Sequence, residues 1–228
     1  MAHEIRNPLN GMDSNLQLLI EDLETASHTA CNPTRVEIPL LKDKLNRVRR
    51  EIERLEHILK NFLRYANLPP LKFELCDMGL LLEEELNFIE PEAQRQNIMI
   101  VRNLEPLPEM WVDSDQLKQA LLNLIINANQ AMTEGGTLTI TARRVDDQVR
   151  IDVTDTGCGI PPERQGKIFD IFYSTKEEGT GIGLAIVKQI IEGHGGNITV
   201  SSENGKVEHP DKNGGATFSI FLPMGGKH

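Results

Sequence analysis

The sequence predicts an α+β fold in two parts. An N-terminal helical hairpin pairs with a second copy into a dimeric four-helix bundle, and helices layered on one face of a mixed sheet follow. Apolar residues alternate at spacings of four and three up to Phe62. Pro69-Pro70 then interrupts the pattern. Beyond it, runs of period two are interleaved with runs at helical spacing.

Ile5, Leu9, Met12, Leu16, Leu19 and Leu23 form one heptad seam, and Leu41, Leu45, Val48, Ile52, Leu55, Leu59 and Phe62 a second. Both read as long amphipathic helices. Residues 27–39 between them are polar, with Pro33 and Pro39, and read as the hairpin connection. Each helix has an apolar stripe but only one neighbour, so a homodimer is expected to complete the bundle. The alternative is a hairpin packed on its own second domain. Asn67-Leu68-Pro69-Pro70 ends the second helix, dividing the chain into a hairpin over 1–67, a linker over 68–72 and a second domain over 73–228.

Within the second domain, Asp113-Ser114-Asp115-Gln116 has the form of a capping box. The helix it opens buries Leu117, Ala120, Leu121, Leu124 and Ala128. Glu134-Gly135-Gly136 turns the chain. Leu138, Ile140 and Ala142, then Val149, Ile151 and Val153, alternate as two strands. Ile182 to Ile191 is an apolar helix ended by His194-Gly195-Gly196. Ile198 and Val200, then Phe218, Ile220 and Leu222, supply two late strands.

Composition narrows the function classes. The 228 residues carry a formal charge of −10 and no basic stripe, which argues against nucleic acid. Cys31, Cys76 and Cys158 are scattered, with no disulfide framework and no structural-zinc spacing. No signal peptide and no run of about 20 apolar residues is present. A cytoplasmic chain without membrane contact is expected. It opens almost on its first motif, so a fragment lacking an upstream sensor domain is expected.

Four islands carry the chemistry. The first is His3-Glu4-Ile5-Arg6-Asn7-Pro8-Leu9. With Ile5, Leu9 and Met12 in the seam, His3 falls on the flank, and Asn7, four residues on, shares its face. Glu4 can hydrogen-bond one imidazole nitrogen, fix the tautomer and leave the other as nucleophile. An exposed His beside Glu is also common by chance. Pro8 costs about 3 kcal/mol in a helix interior and loosens hydrogen bonding there.

The other three suit a nucleotide. Asn123 and Asn127 lie four apart on one helix face, where amide oxygens can ligate magnesium; solvated amides are the plainer reading. Asp155 ends an apolar strand and enters Gly157-Cys158-Gly159, where a carboxylate can accept an exocyclic amine and glycines permit close approach. Gly179-Thr180-Gly181-Ile182-Gly183-Leu184 precedes a helix, whose amides can meet a phosphate. It lacks the βαβ setting of a dinucleotide fingerprint and the Gly-Lys-Ser/Thr of a P-loop. Ile168 to Lys176 reads as a lid with aromatic anchors, and Lys176 can reach a phosphate. Thr217 lies on the last strand pair.

His-Glu-Ile-Arg-Asn-Pro-Leu resembles the H box of sensor histidine kinases, and the nucleotide islands resemble the Bergerat ATP site shared by histidine kinases, gyrases, MutL and a class of chaperones. The resemblance runs from His3 to about Pro223, and Gln130-Ala131-Met132 with the Phe-Tyr-Ser-Thr-Lys lid most resembles the NtrB-like subgroup. It implies an α/β sandwich ATP-binding domain behind the dimeric bundle. It also implies His3 as phosphoacceptor, Glu4 as its activating acid and Asn7 as the residue that orients water to dephosphorylate a regulator. By the same resemblance Asn127 ligates magnesium with Asn123 in support, Asp155 meets adenine, and Thr217 lies near adenine and its water. ATP and Mg2+ are the implied cofactors, and a response-regulator receiver domain the implied partner. The ATP-hydrolysing relatives carry a Glu four residues before the magnesium Asn; this chain has Asn123 there, which implies transfer rather than hydrolysis.

Two rivals remain: an ATP-driven clamp of the gyrase or chaperone kind, and a dimer scaffold that binds nucleotide without transfer. His194 reads as a structural residue of its Gly-Gly turn, and Cys158 as a small residue between glycines. The Arg and Glu residues alternating over 47–56 read as a solvated face.

Overall fold

The computed structural model describes residues 11, 14–18, 20–21, 38–176, 180–203 and 214–225. The described positions from 11 to 21 are helical, and α1 (Ile38–Ala66) is one helix of 29 residues. Most of the expected connection lies outside the described residues. Its end, Ile38-Pro39, already belongs to α1, where proline is tolerated because first-turn N–H groups have no intrahelical acceptor.

α1 leaves an apolar stripe in water. Leu45, Ile52 and Leu59, seven residues apart, are 51%, 45% and 54% exposed. Val48 and Leu55 between them, and Phe62 just beyond, are half-buried. A contiguous stripe of this kind marks an interaction face, and heptad spacing matches it to a helical partner.

The chain divides into two compact units, residues 1–67 with 174–180, and residues 68–173 with 181–228. In the second unit the order is β1 (Glu74–Asp77), α2 (Met78–Arg95), β2 (Ile98–Leu104), β3 (Glu109–Val112), α3 (Ser114–Ala131), β4 (Gly136–Val145), β5 (Gln148–Asp155), α4 (Pro162–Gln165), α5 (Gly183–Gly193), β6 (Asn197–Glu203) and β7 (Gly215–Pro223). Five strands form a sheet in the order β2-β4-β5-β7-β6, and β1 pairs with β3 separately. β2 and β4 run parallel; the other neighbours are antiparallel.

The alternation read from the sequence is the inner face of this sheet. Leu138, Ile140, Ala142, Val149, Ile151, Val153, Phe218, Ile220 and Leu222 are all buried there. α3 and α5 pack side by side over it, and α2 lies against α3 and β2. Leu117, Leu121, Leu124, Ile186, Val187 and Ile190 supply their buried faces. This is the helix-on-one-face, mixed-sheet arrangement expected.

Asp113 caps α3 as the capping box predicts, its Oδ1 accepting the Gln116 amide at 3.0 Å. The return half differs. The Gln116 side-chain amide donates to Pro69 O at 3.0 Å and Asp113 Oδ2 at 3.2 Å. The Asp113 amide instead donates to His194 Nε2 at 2.9 Å, and His194 Nδ1 meets Ile190 O at 2.8 Å. With Nε2 accepting, Nδ1 carries the proton, so both ring nitrogens are used within the fold. The structural reading of His194 follows from these bonds. Asp113 Oδ2 also accepts the Lys72 amide at 2.8 Å, so residues 69–72 are bonded into this unit.

Candidate functional site

Asp155 closes β5 on the inner face and is 4% exposed. Its Oδ1 accepts the Gly157 amide at 2.8 Å. A buried carboxylate is costly unless hydrogen-bonded, and this bond holds it as a fixed acceptor at the strand end.

Gly157 is where the loop after β5 meets α3. A Cβ there would lie 2.5 Å from the Ala131 carbonyl oxygen, so only glycine allows this approach. The Cys158 amide donates to the same oxygen at 3.2 Å. Ala131 lies four residues beyond Asn127 and eight beyond Asn123, so the three share one helix face. The face that carries both asparagines is therefore sewn at its end to the glycine loop. Both are half-buried. Their amide oxygens suit a hard dication that takes its other oxygens from phosphates and water. Among the described residues no three His, Cys, Asp or Glu gather into a metal site.

The fourth island opens α5. Gly181 has φ +64, and its carbonyl accepts the Phe172 amide at 3.0 Å. Ile182, the cap residue, is buried and makes no side-chain capping bond. The first-turn amides at Gly183 and Leu184 have no intrahelical acceptor, and a Cβ at Gly183 would meet nothing within 4 Å. An open helix start of this kind suits a phosphate. Of the expected aromatic anchors, Phe169 meets Phe218 edge-on at 6.4 Å, and Ile168 beside it is buried.

The structure brings Asp155, Gly157, Gly159, Asn123, Asn127, Gly181, Gly183 and Leu184 into one unit. Lys176 and Thr180 belong with 174–180 to the other, where the Lys176 amide donates to Ser174 Oγ at 3.1 Å. His3, Glu4, Asn7 and Gly179 lie outside the described residues.

Thr217 requires a correction. Asp155 is paired with Ala216, and Thr154 with Thr217. Successive strand residues point to opposite faces. Thr217 therefore turns away from Asp155, and its hydroxyl meets Thr154 Oγ1 at 3.0 Å. The inner-face neighbour of Asp155 is Ala216. That parity was readable by counting back from Phe218 in steps of two. Ser202, on the same face of β6, carried no signal, since an isolated strand serine has no motif.

Burial pushes the Cys76 thiol and the Glu85 carboxyl up, and the Glu84 hydrogen bond raises Lys118.

Residues 112–226 match the family model for histidine kinase-, DNA gyrase B- and HSP90-like ATPases, and residues 1–70 match the His Kinase A (phospho-acceptor) domain. The chain belongs to the histidine kinase family. This histidine kinase core is similar to sensor histidine kinase ZraS of Escherichia coli strain K12, with 33% identity over 225 residues, 98% of this chain and 44% of ZraS. It thus spans less than half the length of that relative. Full-length ShkA, solved in complex with AMPPNP, superposes with TM-score 0.67 at 28% identity, over 99% of this chain and 45% of that one. Histidine kinase ThkA, in complex with response regulator protein TrrA, gives 0.66 at 28% identity, over 98% and 60%. The phosphoacceptor match contains His3; the ATPase match contains Asn123 through Thr217. Among the described residues, no helix of this histidine kinase is long and apolar enough to cross a membrane.

Proposed function

We propose that this histidine kinase core transfers the γ-phosphoryl group of Mg-ATP to His3 and then to an Asp of a response-regulator receiver domain, in the cytoplasm and as a homodimer. The hairpin over 1–67 carries His3, residues 68–72 link it onward, and residues 73–228 bind ATP. The observation that supports this best is the junction at Ala131, which fixes the Asp155 loop to the end of the Asn123–Asn127 face.

Asp155 accepts the adenine amine. Asn127, supported by Asn123, would hold the magnesium through its amide oxygen. The amides from Gly179 to Leu184 receive the phosphates, with Lys176 and Thr180 contributing from the lid. A magnesium ion held there would neutralise charge on the phosphates. Glu4 holds one nitrogen of His3 so that the other attacks phosphorus in line, and the N–P bond forms as the bond to ADP breaks. Asn7 orients water when the core dephosphorylates its regulator. Asn123 has no carboxylate to activate water, which separates this reading from an ATP-driven clamp. The exposed heptad stripe of α1 supports the homodimer.

Asn127→Ala is expected to weaken Mg-AMPPNP binding about tenfold, the cost of one lost interaction with a charged group. Titration calorimetry at fixed magnesium reads this directly. Affinity equal to the parent chain would remove Asn127 from the site.

A further inference from the structure

We propose that Ser202 and Gln165 are positioning residues for the nucleotide site, fastening the exit of the Asp155–Gly159 loop to β6. The proposal rests on the nucleotide-site reading above and adds to it two residues outside the four islands.

The register places Ser202 opposite Ala216, and Ala216 opposite Asp155. The three stand in one row across the sheet, on the same face. From there the Ser202 hydroxyl makes two bonds. It donates to Gly215 O at 2.6 Å and accepts the Ile160 amide at 2.7 Å. Gln165 Nε2 donates to Ile160 O and to Ser202 O, both at 3.0 Å. Both backbone groups of Ile160 are therefore held, immediately after Gly159 with its φ of +71.

The loop is thus tied at both ends. Its entry is fixed by the Asp155–Gly157 bond and by Cys158 on Ala131. Its exit is fixed only through Ser202 and Gln165 among the hydrogen bonds described for Ile160. Removing the Ser202 hydroxyl deprives a half-buried N–H of its acceptor. The loop exit then drifts relative to Asp155, and the cost of ordering it falls on nucleotide binding. The chemical step should be spared, because neither side chain touches a phosphate in this reading.

Ser202→Ala in the full chain is expected to raise the Kd for Mg-AMPPNP about tenfold. The KM for ATP should rise in parallel, while the labelling rate at saturating ATP stays within about twofold of the parent. Ser202→Thr keeps the hydroxyl and should restore affinity to within about threefold of the parent. Thr154→Ala is the control, because it removes a hydroxyl pair from the opposite face of the same sheet. It should lower the melting temperature without moving the Kd. A Ser202→Ala Kd equal to the parent's would overturn the proposal, as would an equal rise in Thr154→Ala, since the effect would then be general destabilisation. A parent chain that binds no Mg-AMPPNP would overturn this proposal and the nucleotide-site reading together.

Discussion

Asp155→Asn is expected to weaken Mg-AMPPNP binding about a hundredfold while changing the melting temperature little. The substitution preserves shape, and the remaining amide oxygen can still accept the Gly157 N–H that Asp155 holds at 2.8 Å. The buried position at the end of β5 should therefore survive. What disappears is the charge and one acceptor, replaced by an NH2 that faces the adenine amine donor to donor. Hydrogen bonds to a charged group contribute about 1.5–3 kcal/mol, and a mismatched buried donor adds to the loss. Roughly 3 kcal/mol corresponds to about a hundredfold in affinity. Calorimetric titration together with a melting curve separates the two effects. Binding within about threefold of the parent would remove Asp155 from the site.

Gly157→Ala should damage both stability and binding. The new methyl would sit 2.5 Å from Ala131 O and 2.7 Å from Ala131 C, and these are backbone atoms of α3 rather than the end of a flexible side chain. The loop must lift away, and the Cys158–Ala131 hydrogen bond at 3.2 Å goes with it. Overpacking of this kind costs about 1–3 kcal/mol. The melting temperature should fall, and nucleotide affinity should fall by more than about tenfold because the loop leaves the Asn127 face. Gly183→Ala serves as the stability control: a Cβ there meets nothing within 4 Å, and alanine is the better helix former. Its melting temperature should not drop. A Gly157→Ala chain that melts with the parent would contradict the close contact between loop and helix.

The sequence was most legible where one face is buried and the pattern is clean. β5 alternates strictly, and the inward residues of β4 and β7 recur at every second position, because helices cover the inner side of the sheet. α2 and β2 were not legible for physical reasons. Pro91 sits inside α2, Phe88 and Leu80 point outward at 73% and 60% exposure, and Met99 on β2 is 60% exposed. Arg102 on β2 is half-buried because Glu90 and Glu83 receive it at 2.7 and 3.3 Å, a pairing between elements that no local window contains. The same division holds at the site. The placement of Asp155 and Gly157 at a strand end and of the two asparagines on one helix face was readable because spacing along a single element sets it. Thr217 was misplaced because its side is decided by register with β5, and the bonds that join Ser202 to Ile160 and Gln165 to Ser202 span 42 and 37 residues, beyond any local window.

Incubating the chain with magnesium and γ-labelled ATP tests most directly whether His3 takes the phosphoryl group. Protein-bound label is expected, labile in acid and stable in alkali, as a phosphoramidate is. His3→Gln should abolish that label while leaving Mg-AMPPNP affinity unchanged. Label that persists in His3→Gln, or steady phosphate release with no label on the protein, would contradict it.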